Sequence, residues 1–162
     1  MVPSDVARTL VAYLRLFVVS GDTLEAGFVA RGVSRLMLQR GFAPITEFTL
    51  PNGRRLDVAA VSDNGEIVAV EIKVSVADLR ADEKWIEYLE YCDRFYFAVP
   101  ENFPHEALPA DHGLIVADRF GAGIIRESGR AVVSGARRKA LLIRFARCAA
   151  ERLTRAADPF AP

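Results

Sequence analysis

Residues 54–74, with the sequence RRLDVAAVSDNGEIVAVEIKV, decide the fold of this chain. Two runs rich in valine, isoleucine and leucine flank Asp63-Asn64-Gly65, a pattern that predicts a β-hairpin with a tight turn. Asp57, Glu71 and Lys73 interrupt these apolar runs. Because a charge buried in a sheet is costly unless it is paired or binds an ion, these three residues are the first candidates for a functional site.

The length of the hairpin turn decides which of the charged residues face each other. A two-residue turn would put Asp57 and Glu71 on opposite sides of the sheet, because a slip of one residue reverses every side chain. A three-residue loop, with Gly65 in the left-handed conformation, pairs Ser62 with Glu66 and puts Asp57 directly opposite Glu71. We favour the three-residue loop because it gathers uncharged residues on one face, namely Leu56, Val58, Ala60, Val68, Val70 and Ile72.

The favoured register places two carboxylates and the ammonium group of Lys73 on one side of the sheet. Paired Cβ atoms lie about 5 Å apart across such a hairpin. Two carboxylates at that separation repel each other unless one is protonated or a cation lies between them. Their oxygens suit Mg²⁺, which takes one or two carboxylates from a protein and keeps several waters. The hairpin therefore predicts a divalent-cation site at Asp57 and Glu71.

The remaining elements are predicted from the periodicity of apolar residues and from the residues that end helices. Helices are expected at residues 4–20, 23–40, 75–93 and 137–157. Strands are expected at residues 42–50, 94–99, 113–117 and 122–126. A helical crossover precedes strand 94–99, which predicts an α/β chain with a mixed sheet. Strand 42–50 carries Glu47, which either lies on the side of Asp57 as a further acid or faces water.

Length and composition are those of a globular domain. The chain has 162 residues, of which 51% are hydrophobic, and a formal net charge of zero. We expect one domain over residues 1–162, with its core at about 24–127, an N-terminal helix within 1–22 and a C-terminal helix at 135–157. Zero net charge argues against binding a polyanion over the whole surface, but it leaves a local basic face open.

No membrane segment or secretory signal is expected. The apolar stretch at residues 10–19 contains Arg15 and is too short to span a bilayer. It also lacks a cleavage site of small residues. Cys92 and Cys148 have no metal-ligand spacing, so buried free thiols of a cytoplasmic protein are the simplest interpretation.

Two predicted helices carry basic residues that could contact a nucleic-acid backbone. Helix 23–40 has Arg31 and Arg35 on its polar face, and the last helix begins with Arg137, Arg138 and Lys139. A solvated face is the alternative for both helices. The last helix contains a single acidic residue, whereas solvated faces more often alternate in sign.

The combination of Asp57, the hairpin and Glu71-Ile72-Lys73, within a helix-strand-strand-strand-helix-strand order, resembles the PD-(D/E)XK nuclease superfamily. That resemblance implies a restriction-endonuclease-like αβββαβ core, here with an N-terminal helix and a long basic C-terminal helix. It also implies an endonuclease that hydrolyses DNA phosphodiester bonds with Mg²⁺ or Mn²⁺.

A larger part of the chain is similar to the MmcB-type bacterial DNA repair proteins. The similarity is carried by Arg31-Gly32-Val33, Thr46-Glu47, Gly53-Arg54-Arg55-Leu56-Asp57, Val70-Glu71-Ile72-Lys73, Arg80-Ala81-Asp82, Tyr91-Cys92-Asp93-Arg94 and Ala136-Arg137-Arg138-Lys139. It implies a repair role in the bacterial cytoplasm, with DNA as the partner, no membrane and no organic cofactor. Many superfamily members act as dimers, and the apolar stripe of helix 4–20 is a candidate homodimer contact.

The superfamily resemblance implies a role for each site residue. Asp57 and Glu71 would bind the divalent ion with the backbone carbonyl of Ile72, and Glu47 is a further candidate ligand. Lys73 would orient the attacking water or neutralise charge that develops on the phosphoryl oxygens. Lys84 is included as a catalytic candidate because it stands where RecB-like members carry a Gln, and it departs from that pattern.

One further departure keeps two function classes open. Many members carry a Glu in the first helix, where this chain has Arg31, and Glu25 lies too early for an easy match. The chain is therefore either a metal-dependent DNA endonuclease or a non-catalytic repair module that binds DNA or a partner through the same fold. Arg55 is a further candidate DNA contact. A third interpretation makes Arg55 and Lys73 partners of the acids in a purely structural ion-pair network.

Overall fold

A computed structural model gives the fold of residues 21–158, 160 and 161. Its helices are α1 (Gly21–Gln39), α2 (Val76–Ala81) and α3 (Gly135–Ala157), with 3₁₀ helices at Lys84–Tyr91 and His105–Ala107. Its strands are β1 (Phe42–Thr49), β2 (Arg55–Ser62), β3 (Ile67–Ile72), β4 (Arg94–Val99), β5 (Gly113–Ala117) and β6 (Ala122–Arg126). The predicted helix at residues 4–20 lies outside the described residues.

The six strands of the described residues form one sheet in the order β1-β2-β3-β4-β5-β6. β1, β2 and β3 are antiparallel neighbours, β4 is parallel to both β3 and β5, and β6 is antiparallel to β5. The parallel pairing of β3 with β4 requires a crossover, which α2 and the first 3₁₀ helix supply. The mixed sheet and the αβββαβ order that the sequence predicts are therefore confirmed.

The sheet separates two hydrophobic cores. On one face α1 packs against β2, β3, β4 and β5 through Val29, Val33, Leu36 and Met37. These residues recur at helical spacing, and each fully buried aliphatic side chain stabilises the fold by about 1.5–3 kcal/mol. The other core lies beneath α3 and the Lys84–Tyr91 helix, and it includes Phe48, Phe95, Phe97, Leu114 and Leu141.

Gly32 lets α1 lie close to the turn between β5 and β6. A Cβ atom at Gly32 would clash with the backbone carbonyl oxygens of Asp118 and Gly121. Arg35 fixes the same turn, because its Nη1 donates to the carbonyl oxygens of residues 119 and 120 at 3.3 and 2.8 Å. These contacts fix the distance between α1 and the β5–β6 end of the sheet.

The hairpin has the register of the three-residue loop. Val58 pairs with Val70, the N–H of Ser62 donates to the carbonyl of Glu66 at 3.0 Å, and Gly65 has a φ of 80°. The predicted register is confirmed. Continued along the strands, it sets Asp57 opposite Glu71.

The predicted position of Leu56 is wrong. Val58 and Ala60 pack beneath α1 as predicted, whereas Leu56 lies in the opposite core. Ala59 lies in that core too, although residues three apart in a regular strand point to opposite faces. The alternation of β2 is therefore interrupted at Asp57.

The cause is a bend that β1 and β2 share. The register of β1 with β2, in which Thr46 pairs with Val58, sets Glu47 opposite Asp57. Glu47 has a φ of 49°, in the left-handed region, where a residue with a Cβ costs about 1–2 kcal/mol. Ile45 and Phe48, on either side of Glu47, consequently face the same core.

The predicted single helix at residues 75–93 is two helices. Ser75 caps α2, its Oγ accepting from the N–H of Asp78 at 3.2 Å, and α2 ends at Asp82. Asp82 has an extended backbone, and its Oδ1 accepts from the N–H of Lys84 at 2.9 Å. This side-chain bond competes with the helical backbone pattern, so it separates α2 from the 3₁₀ helix.

α3 is anchored at its N-terminal end by an ion pair whose carboxylate is buried. Arg138 makes two bonds to the carboxylate of Asp93, at 2.6 and 2.7 Å, and one to the carbonyl of Gly65 at 2.8 Å. Burial would raise the pKa of Asp93, but the bonds from Arg138 and from the N–H of Ile67 outweigh it, so the pKa is lowered. None of the helices in the described part of the chain has the length and hydrophobicity of a membrane span.

Candidate active site

A cleft of about 310 Å³ opens beside the bend in β1 and β2. It is lined by Ala26, Ala30, Thr46, Glu47, Asp57, Glu71, Ile72, Lys73, Asp78 and Asp82. The hairpin register brings Asp57 and Glu71 together, and the left-handed residue at Glu47 turns β1 at the same point. Five residues predicted from the sequence thus share one cleft, namely Glu47, Asp57, Glu71, Ile72 and Lys73.

The two central carboxylates have unequal hydrogen bonding. Oδ2 of Asp57 accepts from the N–H of Ile72 at 2.7 Å. Glu71 is 4% exposed, and its Oε1 lies 3.1 Å from Nζ of Lys73. Its Oε2 is buried and accepts no hydrogen bond from the described residues. Leaving a buried acceptor without a donor costs about 1–3 kcal/mol, and more when the group is charged.

The electrostatics of this pair are unfavourable without a cation. Burial and then the negative charge of Asp57 raise the pKa of Glu71 to about 8. Burial also raises the pKa of Asp57, against the opposing effect of the bond from Ile72. A positive ion close to both groups would lower both pKa values.

The donor set fits a hard divalent ion that keeps part of its water shell. Two carboxylates, one of them with a bare oxygen, are the protein ligands that Mg²⁺ commonly takes. Among the described residues, no group of three or more His, Cys, Asp or Glu side chains is placed to hold a metal. A closed site of the structural-zinc type, which needs four protein ligands, therefore does not fit the described cleft.

Lys73 is the buried cation of the cleft. It is 2% exposed, and its Nζ lies 3.1 Å from Glu71, 3.0 Å from Asp82 and 3.7 Å from Asp78. Burial would lower the pKa of Lys73, but the carboxylates of Glu71 and Asp82 outweigh it, so the pKa is raised. Lys73 therefore keeps its proton at neutral pH.

Asp82 is a site residue that the sequence analysis missed. A continuous helix over residues 75–93 gave no reason to place it beside Lys73, and the helix break at Asp82 does so. The available signal was Arg80-Ala81-Asp82, a segment similar to the MmcB-type proteins. Lys84, chosen instead, has an exposed side chain and is not among the cleft-lining residues.

Tyr88 is a buried core residue close to the site. It is 4% exposed, and its hydroxyl donates to the backbone carbonyl of Arg55 at 3.3 Å. Burial and the charges of Glu71, Asp82 and Asp57 raise its pKa, so the phenol stays protonated. Tyr88 is thus a neutral hydrogen-bond donor to β2 near the acids.

The first helix contributes small side chains to the cleft. Ala26 and Ala30, one turn apart on α1, line it, whereas Arg31 is exposed. Glu47 has a side chain that is 63% exposed, and its Oε1 lies 3.7 Å from Nη2 of Arg55. Ala26 and Ala30 therefore add no carboxylate to the cleft.

A family model of MmcB-like DNA repair proteins matches residues 19–160. The chain belongs to the MmcB-like DNA repair protein family. A protein of unknown function from Silicibacter pomeroyi, SPO1766, is 43% identical and superposes with a TM-score of 0.83 over 85% of this chain and 94% of that chain. No curated protein matches.

Two further solved structures are similar to part of this MmcB-like chain. A repair endonuclease from Pyrococcus abyssi is 22% identical over 47% of this chain and 39% of its own, with a TM-score of 0.32. A complex of EndoMS with double-stranded DNA is 22% identical over 47% of this chain and 37% of its own, with a TM-score of 0.29.

The basic residues predicted to contact DNA lie on separate surfaces of the MmcB-like fold. Arg31 and Lys139 are exposed on α1 and α3. Arg55, also exposed, lies beside Glu47 at the cleft. Arg35 is bonded to the β5–β6 turn.

The two arginines at the start of α3 are bound to acidic residues. Arg137 donates to the carbonyl of Glu90 at 2.9 Å and lies 3.4 Å from its carboxylate. Arg138 forms an ion pair with Asp93. Arg138 thus holds α3 on the sheet.

Proposed function

We propose that this MmcB-like protein is a nuclease that hydrolyses DNA phosphodiester bonds with Mg²⁺ or Mn²⁺. Membership of the family supports a role in DNA repair. The observation that carries the proposed reaction is the facing pair of half-buried Asp57 and buried Glu71, with the Lys73 ammonium group beside it.

The residues of the cleft have separable roles in this reaction. Asp57 and Glu71 would hold the ion, with the carbonyl of Ile72 as a further ligand. When bound, the ion supplies an activated water and polarises the scissile phosphate. Lys73, held in its charged form by Glu71 and Asp82, would neutralise charge on the phosphoryl oxygens. A lysine that keeps its proton is suited to this role and not to that of a general base.

The unfavourable electrostatic environment of Asp57 and Glu71 argues against a purely structural ion-pair network. A structural network would pair each buried oxygen, because breaking one partner of a buried charge costs several kcal/mol. Here Oε2 of Glu71 has no donor in the described chain, and Arg55 lies beside Glu47. Unfavourable groups of this kind cluster at functional sites, where a ligand compensates them.

A second candidate, a repair module that binds DNA without cutting it, is favoured by one observation. α1 presents Ala26 and Ala30 to the cleft, so those positions add no carboxylate to Asp57 and Glu71. This candidate predicts DNA binding that does not depend on the divalent ion.

Cleavage of end-labelled DNAs separates the two candidates. The panel contains single-stranded, duplex, flap and four-way-junction DNA, each with Mg²⁺ or Mn²⁺ and with EDTA. The proteins are wild type, Asp57→Asn, Glu71→Gln and Lys73→Met, with Asp111→Asn as a matched control because Asp111 is exposed and outside the cleft. The nuclease proposal predicts metal-dependent cutting by wild type and the control, and none by the three cleft variants.

A second readout measures the ion alone. Calorimetric titration with Mn²⁺ should give one binding event in wild type that is lost in Asp57→Asn. Absence of cutting on every DNA, with equal DNA binding by all five proteins, would exclude the nuclease and leave the binding module.

A further inference from the structure

A groove of about 400 Å³ separates α3 from the edge strand β1. Its helix wall has a repeat of three to four residues and consists of Ala140, Ile143, Arg144, Arg147, Cys148, Glu151 and Arg152. Its strand wall is Glu47, Phe48 and Thr49. Glu47 also lines the candidate active site, so the groove and the cleft are adjacent.

Two arginines of the groove are bonded to neutral partners. Nε of Arg144 donates to the carbonyl of Thr49 at 2.6 Å. Arg152 donates to the carbonyl oxygens of Thr46 and Glu47, the second at 2.9 Å. A carbonyl fixes a guanidinium group without cancelling its charge, and neither arginine forms an ion pair within residues 21–158. Both positive charges are therefore held in place and uncompensated.

Arg147 lies between them with its side chain 77% exposed. Its carboxylate partner is Glu151, one turn along the helix, at 3.7 Å. Exposed pairs of this spacing contribute about 0.3–0.5 kcal/mol, so a phosphate can readily replace Glu151 as the partner.

The direction of α3 places these charges at the cleft end of the sheet. Arg138 lies at the hairpin turn, where it donates to Gly65, and α3 rises about 21 Å between Arg138 and Arg152. Strand β2 covers a similar distance, about 17 Å, between Asp57 and Ser62, the residue that precedes the turn. The first turn of α3 is therefore remote from the acids, whereas Arg152 bonds to the residue opposite Asp57.

We propose that this groove binds the sugar–phosphate backbone of a single DNA strand and leads it into the cleft. The inference rests on the proposed function of the cleft. The contacts would be to phosphates and not to stacked bases, because the one aromatic residue of the groove wall, Phe48, is buried. The groove has the volume of a small-ligand pocket, which suits one strand and not a duplex.

The test measures DNA binding in EDTA, so that cleavage cannot contribute. Fluorescence anisotropy of a labelled single strand, the matching duplex and the matching RNA is recorded over about 50–200 mM salt. The variants are Arg147→Gln and the double variant Arg144→Gln with Arg147→Gln. The matched control is Arg130→Gln, whose exposed guanidinium lies at the hairpin-turn end, 3.9 Å from Glu66.

Each groove substitution is expected to weaken single-strand binding and to reduce the slope of log affinity against log salt by about 0.7. Arg130→Gln should bind as wild type does. Arg144→Gln removes a bond to β1, so circular dichroism confirms folding. Arg147 has no hydrogen bond to the sheet among the described residues, so Arg147→Gln should not disturb the fold. If the double variant unfolds, Arg147→Gln alone provides the test.

The proposal would be overturned if Arg147→Gln bound the single strand with the same affinity as wild type and the same slope of log affinity against log salt. Failure of wild type to bind the single strand, or tighter binding of the duplex or the RNA, would also overturn it. The outcome is separable from that of the proposed function. Groove variants that lose binding while wild type cuts no DNA would leave the groove standing without the nuclease, and the reverse result would leave the nuclease without the groove.

Discussion

Replacing Glu71 by Gln should stabilise the metal-free protein, although Glu71 lies at the centre of the proposed site. Glu71 is 4% exposed, its Oε2 has no donor among the described residues, and it faces Asp57. Gln has nearly the same shape and no charge. The substitution therefore removes the repulsion, keeps an acceptor oxygen for Lys73, and adds an amide N–H that can donate to Asp57.

The size of this effect follows from the pKa of Glu71. Burial and the charge of Asp57 raise that pKa from its ordinary 4.5 to about 8. Because the folded state holds the proton more tightly than the unfolded chain, the stabilisation is complete below about pH 4.5 and is lost as the pH rises to about 8. At about 1.36 kcal/mol per pH unit, the loss is on the order of 5 kcal/mol. For a chain of this length, that corresponds to about 10–20 °C in the unfolding temperature.

Thermal unfolding followed by circular dichroism in EDTA measures this difference. Wild type and Glu71→Gln should unfold at similar temperatures near about pH 5, and a gap should open towards about pH 9. Mn²⁺ should raise the unfolding temperature of wild type and not of the variant, because an ion that binds only the folded state stabilises it. The control is Glu101→Gln, at an exposed loop residue. A variant that is less stable than wild type at the higher pH would refute this reasoning.

Substitutions at three further positions test the fold around the site by urea unfolding. Asp93→Asn should lower the free energy of unfolding by about 1–3 kcal/mol, because it removes the buried carboxylate that pairs with the half-buried guanidinium of Arg138; unchanged stability would contradict the anchoring role. Glu47→Gly should be more stable than Glu47→Ala by about 1 kcal/mol, because only glycine is relaxed at a φ of 49°; equal stabilities would show that the bend is unstrained. Gly32→Ala should cost about 1–3 kcal/mol through the clash of its Cβ with the carbonyl of Asp118; unchanged stability would mean that α1 can move away from the turn.

The hairpin is the part of the fold that could be read most completely from the sequence. Its turn residues are adjacent in the chain, and the alternation of apolar residues in its sequence predicts the observed register, although Leu56 departs from that alternation in the structure. That local choice sufficed to set Asp57 opposite Glu71 and to place Lys73 with them. The order of the elements followed from periodicity in the same way, since each helix or strand leaves its own apolar pattern.

The errors lie where a distant side chain or a backbone bend overrides the local pattern. Leu56 and Val58 are two residues apart, so the sequence pattern predicts that they face the same side of the sheet. The left-handed backbone of Glu47, opposite Asp57, changes the direction of both strands between Leu56 and Val58. The helical pattern of residues 75–93 continues through Asp82, yet the side chain of Asp82 bonds to Lys73 and to the N–H of Lys84. Neither the left-handed backbone of Glu47 nor the hydrogen bonds of Asp82 can be recognised from the spacing of apolar residues.

The sequence by itself determined the mixed αβββαβ sheet and the pairing of Asp57 with Glu71, because both depend on patterns within a few residues. Only the tertiary structure decided which basic residues are uncompensated. Arg137, Arg138, Arg144 and Arg152 look alike in the sequence, but their partners come from β1, the 3₁₀ helix and Asp93. A carboxylate partner cancels a guanidinium charge and a carbonyl partner does not, so the packing of α3 sets where this protein is positive.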